Sequence, residues 1–116
     1  MTIHIYGIPN CDTVKKARTW LESQGLDYNF HDYKKEGADP NRITSWIDAA
    51  GLDLVVNRKG TTFRTLSDTD KVKAADTVTA PALLAANPSV IKRPIVEHDG
   101  GLLVGFKPEE WAAALG

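Results

Sequence analysis

The first 33 residues alternate strand, helix and strand, and that order restricts the fold more than any other feature of the chain. Thr2-Ile3-His4-Ile5-Tyr6 is β-branched and aromatic, and Gly7-Ile8-Pro9-Asn10 is a turn. Val14, Ala17 and Leu21 then recur at helical spacing, which predicts a helix over 12–24 closed by Gly25. A second strand is predicted over 28–33, with Tyr28, Phe30 and Asp32 alternating against Asn29, His31 and Tyr33. A strand–helix–strand unit of this length makes a parallel pair with a right-handed crossover.

The last third predicts β structure again. Residues 91–98 read as one extended stretch, Asp99-Gly100 opens a tight turn, and Leu102-Leu103-Val104 follows as the second arm of a hairpin. Pro108 starts a final helix, with Glu109 and Glu110 in its first turn and Trp111 and Leu115 on its apolar face. Between these ends the chain is helical. Lys34-Lys35-Glu36-Gly37-Ala38 is a polar loop. Asp39 caps a helix that has Pro40 first, Ile43, Trp46, Ile47 and Ala50 as its stripe, and Gly51 as its stop. Leu52–Val56 is a short apolar run that leads into the loop Asn57–Thr62. Ser67 caps a helix over 68–75. Thr79 caps another with Leu83 and Leu84 inward, and Asn87-Pro88 stops it. The sum is α/β: a thioredoxin-like mixed four-stranded sheet with an inserted helical subdomain. The sheet core is expected from 1–38 and 88–116, and the insertion from 39–87.

A chain of 116 residues builds one core, and its formal net charge of −1 gives no electrostatic case for nucleic acid or a membrane surface. No segment approaches the roughly 18 apolar residues of a membrane span. The start lacks a basic region followed by an apolar stretch, so no signal peptide is expected. A single cysteine cannot form an internal disulfide. These points suit a cytoplasmic monomer with a reduced thiol. His4, His31 and His98 fall on three separate predicted strands with no close pair, so no metal site is expected.

That cysteine, Cys11, sits where the first strand hands over to the first helix. A thiol there faces free backbone N–H groups and the positive end of the helix dipole, and both favour the nucleophilic thiolate. Its neighbours Asn10 and Asp12 do not suit a buried core cysteine. Lys15 lies one turn on and can fold back toward it. Arg58 stands in a Gly/Thr loop, Arg93 interrupts an apolar stretch, and Lys107 precedes a helix start. Cations set among apolar residues need a partner or a task. Pro94 removes a ladder donor and belongs at an edge or in a cis turn.

Tyr6-Gly7-Ile8-Pro9-Asn10-Cys11-Asp12-Thr13, His31-Asp32-Tyr33, Asn57-Arg58-Lys59-Gly60-Thr61-Thr62 and Ile91-Lys92-Arg93-Pro94-Ile95-Val96 together resemble the ArsC/Spx superfamily, within it the YffB branch. The resemblance implies a thioredoxin-like fold with a helical insertion, a cis proline near the nucleophile, and Cys11 as that nucleophile. Arg58 and Arg93 match two of the three arginines that surround the cysteine of the arsenate reductases; Lys107 stands at the third. A histidine and a serine of those enzymes are replaced by Gly7 and Val14. Val14 also excludes the Cys-x-x-Cys switch that Spx regulators often carry.

The expected function is a glutathione-dependent thiol reductase with Cys11, Arg58, Arg93 and Lys107 catalytic. Asn10, Asp12, Thr13, Lys15 and Pro94 are expected to contact the substrate. No tightly bound cofactor is expected, and glutathione or a protein thiol regenerates the cysteine. Arsenate reduction and Spx-like protein binding are the alternatives.

Overall fold

The computed structural model describes residues 2–116, and of Lys34 the backbone alone. Two compact units divide the chain. One holds the residues up to Tyr33 together with Arg93–Gly116, and the other holds Lys34–Lys92.

The first unit is built on a four-stranded sheet. β1 is His4–Gly7, β2 Asn29–Asp32, β3 Ile95–His98 and β4 Gly101–Val104, in the order β2-β1-β3-β4. β1 and β2 run parallel, joined through helix α1 (Asp12–Ser23); the other pairs are antiparallel. Helix α8 (Pro108–Leu115) closes the chain. This is the thioredoxin-like arrangement the sequence predicts.

Register decides which residues meet the helices. Ile5 pairs with both Phe30 and Val96, so these three share one face. Ile3, Ile5 and Val96 join Ala17 and Leu21 of α1 and Trp111 and Leu115 of α8 in a single buried cluster. Trp20, Phe106 and Trp111 meet edge to face, and the Trp111 Nε1–H donates to the Gly105 carbonyl at 3.1 Å. The opposite face carries His4, Tyr6, His31, Ile95 and Glu97, which are cross-strand partners or alternate neighbours of one another.

Two predicted strands are shorter than their sequence suggests. The stretch 91–98 is not continuous: Arg93-Pro94 is a cis peptide, and β3 starts only after it. Ile91 instead makes an isolated bridge to Val56. Tyr33, read as the end of the second strand, begins a one-turn helix, α2 (Tyr33–Glu36), so the polar loop starts as helix. The Asp99-Gly100 turn joins β3 to β4 as predicted.

The second unit is helical. Helix α3 (Pro40–Ala50) has Pro40 first, and the Asp39 carboxylate accepts from the Asn41 amide at 3.0 Å. It packs on α4 (Leu52–Val55) and on α7 (Ala80–Ala86), burying Ile43, Trp46 and Ile47. Ser67 caps α6 (Asp68–Ala74), accepting from the Asp70 amide at 3.1 Å. Thr79 does not cap α7; its hydroxyl donates to the Lys73 carbonyl at 2.8 Å instead, because its backbone is already helical. The one-turn α5 (Thr61–Arg64) follows the Arg58 loop. Residues 88–90 form a single 3-10 turn. The Asn57 amide donates to Val90 and the Lys92 amide to Val55, each at 2.7 Å, tying the loop to the segment before Arg93.

Candidate functional site

Cys11 is the N-cap residue of α1, half-buried, with extended backbone at φ −86° and ψ 124°. Its amide donates to the Ile8 carbonyl at 3.1 Å, which closes the Pro9-Asn10 turn, and its carbonyl accepts the first helical bond from Lys15 at 3.0 Å. The Cys11 side chain makes no cap bond to the helix. The first-turn amides of a twelve-residue helix therefore open beside the thiol, as the sequence predicts.

The height of the helix end over the sheet is set by Gly7. A Cβ at Gly7 would stand 2.8 Å from Val14 Cγ2 and 3.4 Å from Cγ1. Glycine at the end of β1 is thus what lets valine 14 pack inward, and Val14 is fully buried. No side-chain hydroxyl is available at that position of the first turn.

Topology gathers the other parts of the site. β1 is paired antiparallel with β3 and parallel with β2, so the end of β1, the start of β3 and the end of β2 lie at one edge of the sheet. Val104 pairs with Ile95, which brings the end of β4 to the same edge. The Gly7–Cys11 turn, Tyr33, Arg93-Pro94 and the 105–107 segment all leave the sheet there. Pro94 is buried, and its carbonyl accepts from the Gly105 amide at 2.8 Å.

The remaining predicted residues are more exposed. Asn10, Asp12, Thr13 and Lys15 are all solvent-facing around the turn. Lys107 is the N-cap residue of α8, and its Nζ is 3.8 Å from Glu110 Oε2, with both side chains mostly in water. Arg58 belongs to the helical unit. Its Nη1 is 2.7 Å from Asp53 Oδ1, and it lines a cavity of about 210 Å³ with Asp53, Leu54, Val56, Asn57, Lys59 and Lys92. Lys59 and Lys92 are its cationic companions there.

Two features of the polar sheet face escape sequence reading. His4 and His31 do form a close pair: Nδ1 of one is 2.9 Å from Nε2 of the other. They lie on the adjacent strands β1 and β2, and one ring donates while the other accepts. No three or more His, Cys, Asp or Glu side chains among the described residues are arranged to hold a metal ion. The second feature is an aromatic and charged cluster. Tyr6 stacks on His31 at 4.6 Å, lies 6.5 Å from the Tyr33 ring, and donates to Glu97 Oε1 at 2.9 Å. Tyr33 is 1% exposed. Burial pushes its phenol well above the ordinary tyrosine range; the Arg93 guanidinium pulls it back, and Tyr6 and Glu97 push it up again. The sequence signal for this cluster is the His31-Asp32-Tyr33 run together with the alternation Arg93, Ile95, Glu97.

A thioredoxin-like fold with one cysteine at the helix start and a cis proline opening the neighbouring strand defines a class of thiol-based proteins. Within it, the chain belongs to the ArsC family, whose model matches residues 6–114. An uncharacterized protein of Haemophilus influenzae is 45% identical over 112 residues, covering 97% of each chain. The solved structure of a YffB protein superposes with a TM-score of 0.93 at 48% identity, over 98% of this chain and 99% of that one. The global transcriptional regulator Spx of Streptococcus pyogenes is 26% identical over 110 residues, 92% of this chain and 80% of that protein. No helix among the described residues is long and apolar enough to cross a membrane.

Proposed function

We propose that this protein is a cytoplasmic, monomeric glutathione-dependent thiol reductase. The observation that carries the reading is the placement of the only cysteine at the open first turn of α1, on the sheet edge from which Arg93-Pro94 also emerges. The Cys11 thiolate attacks the glutathionyl sulfur of a mixed disulfide. The substrate leaves as its thiolate and Cys11 becomes glutathionylated. With no second cysteine to resolve that bond, a glutathione thiolate attacks it, releasing Cys11 and oxidised glutathione. Arg93, Arg58 and Lys107 offer charge for the carboxylates of the tripeptide. Asn10, Asp12, Thr13, Lys15 and Pro94 form the surroundings of the scissile sulfur.

Arsenate reduction would use the same cysteine and cations. Buried Val14, which has no hydroxyl to meet the thiolate, and the monodentate Lys107 weigh against it. The likeness to Spx supports a second reading, a regulator that binds a protein partner without turnover. Intact mass after incubation with oxidised glutathione separates these. One glutathione on the wild type, none on Cys11→Ser, and its removal by reduced glutathione are expected. A wild type that takes up no adduct overturns the reductase reading.

A further inference from the structure

The sheet face opposite α1 and α8 carries a carboxylate with no part in the thiol exchange itself. Glu97 is half-buried on β3, directly across from His4, and the Tyr6 hydroxyl holds its Oε1 at 2.9 Å. Tyr6 is itself immobilised: it is 7% exposed and stacked on His31 at 4.6 Å. A carboxylate fixed in a half-buried place requires charge compensation nearby. Arg93 stands two residues ahead of Ile95, which pairs with Tyr6, and four ahead of Glu97 on the same alternation. Tyr33 lies 6.5 Å from the Tyr6 ring, and both Arg93 and Glu97 act on its buried hydroxyl, with opposite signs.

We propose that Glu97, anchored by Tyr6, is the positioning residue for Arg93: its carboxylate fixes the guanidinium and offsets part of its positive potential at the sheet edge where Cys11 emerges. The inference rests on the reading that Arg93 serves Cys11, and it names what sets the strength of that service. Glu97 touches neither the sulfur nor the substrate.

The test needs no substrate. Cys11 of the full chain is alkylated with anionic iodoacetate and with neutral iodoacetamide, and the ratio of the two rates reports the local potential. Glu97→Gln is expected to raise the ratio about two- to fourfold, as loss of one opposing charge at partly screened range does. Tyr6→Phe, which frees the carboxylate, should move it the same way by less, and Arg93→Gln should lower it. The differences should shrink in about 1 M salt. If Arg93→Gln lowers the ratio while Glu97→Gln leaves it unchanged, the role given to Glu97 is overturned and that of Arg93 stands. If Glu97→Gln alters both rates by one factor, its role is structural and the proposal falls. If Arg93→Gln has no effect on the ratio, the reading of Arg93 falls and the proposal with it.

Discussion

The contact between Gly7 and Val14 sets where Cys11 stands, and it can be tested by adding one methyl group. In Gly7→Ala the new Cβ would lie 2.8 Å from Val14 Cγ2. Carbon atoms pack best at about 3.5–4.0 Å, so the overlap is most of an ångström. Val14 is fully buried, and a valine in a helix has one strongly preferred rotamer, so neither partner yields cheaply. Overpacking of this kind costs about 1–3 kcal/mol, from which about 0.5 kcal/mol is recovered because alanine restricts the unfolded chain. The net loss of about 0.5–2.5 kcal/mol corresponds to a fall of roughly 2–10 °C in Tm for a domain of this size. Val14→Ala alone should cost about 2–3 kcal/mol through lost burial and a cavity. The double variant is the decisive one. The atom left facing the new methyl is the residue 14 Cβ, at 3.7 Å, an ordinary contact. The double variant should therefore be more stable than the sum of the singles by about the whole Gly7→Ala penalty. Urea unfolding of the four proteins gives the cycle. A Gly7→Ala protein as stable as the wild type, or strictly additive losses, would refute the idea that this contact sets the helix height.

Three further outcomes follow from individual side chains. Tyr33 has a raised pKa in the folded state, so its contribution is fully present below the ordinary tyrosine value of about 10 and is lost as pH rises beyond it. Stability should fall by up to about 1.4 kcal/mol per pH unit above pH 10, and Tyr33→Phe should lack that part of the slope in denaturant titrations; identical slopes would contradict the assignment. Asp39→Ala removes the cap of α3 and should cost about 1 kcal/mol by thermal unfolding, with Asp39→Ser retaining most of it. Lys107→Ala should change stability by less than about 0.5 kcal/mol, because its pair with Glu110 is exposed, so a large effect on turnover would be chemical rather than structural.

The parts of this fold that are legible in sequence are those set by local chemistry. Asp39-Pro40 starts a helix because a carboxylate caps it and a ring presets the backbone, and Asp99-Gly100 turns a hairpin; both act within a few residues. Cys11 is legible for the same reason, lying between a β-branched run and a helical stripe. What escapes reading depends on register between distant strands. The His4–His31 pair needs β1 and β2 aligned, and the Tyr6–Glu97 bond needs strands whose residues are 91 apart. Pro94 is visible as a breaker, yet the apolar character of 91–98 disguises where the strand begins. The one-turn helices at Tyr33, Leu52 and Thr61 are too short to show a period. Arg58 is conspicuous as a cation in a Gly/Thr loop, while the carboxylate that engages it, Asp53, comes from the preceding helix.

The sheet unit is discontinuous in the chain, and this governs the order in which the protein can be made. The central strand β1 finds β2 early, through a local crossover, but its other partner, β3, comes after all of Lys34–Lys92 has been synthesised. Loop-closure entropy must be met before that long-range pairing stabilises anything, whereas the helical unit closes over shorter stretches of chain, as between α3 and α7. A nascent chain that ends before residue 95 therefore possesses its thiol and its first helix but not the edge that gives them company. That edge is complete only when the hairpin of β3 and β4 docks beside β1, near the end of synthesis.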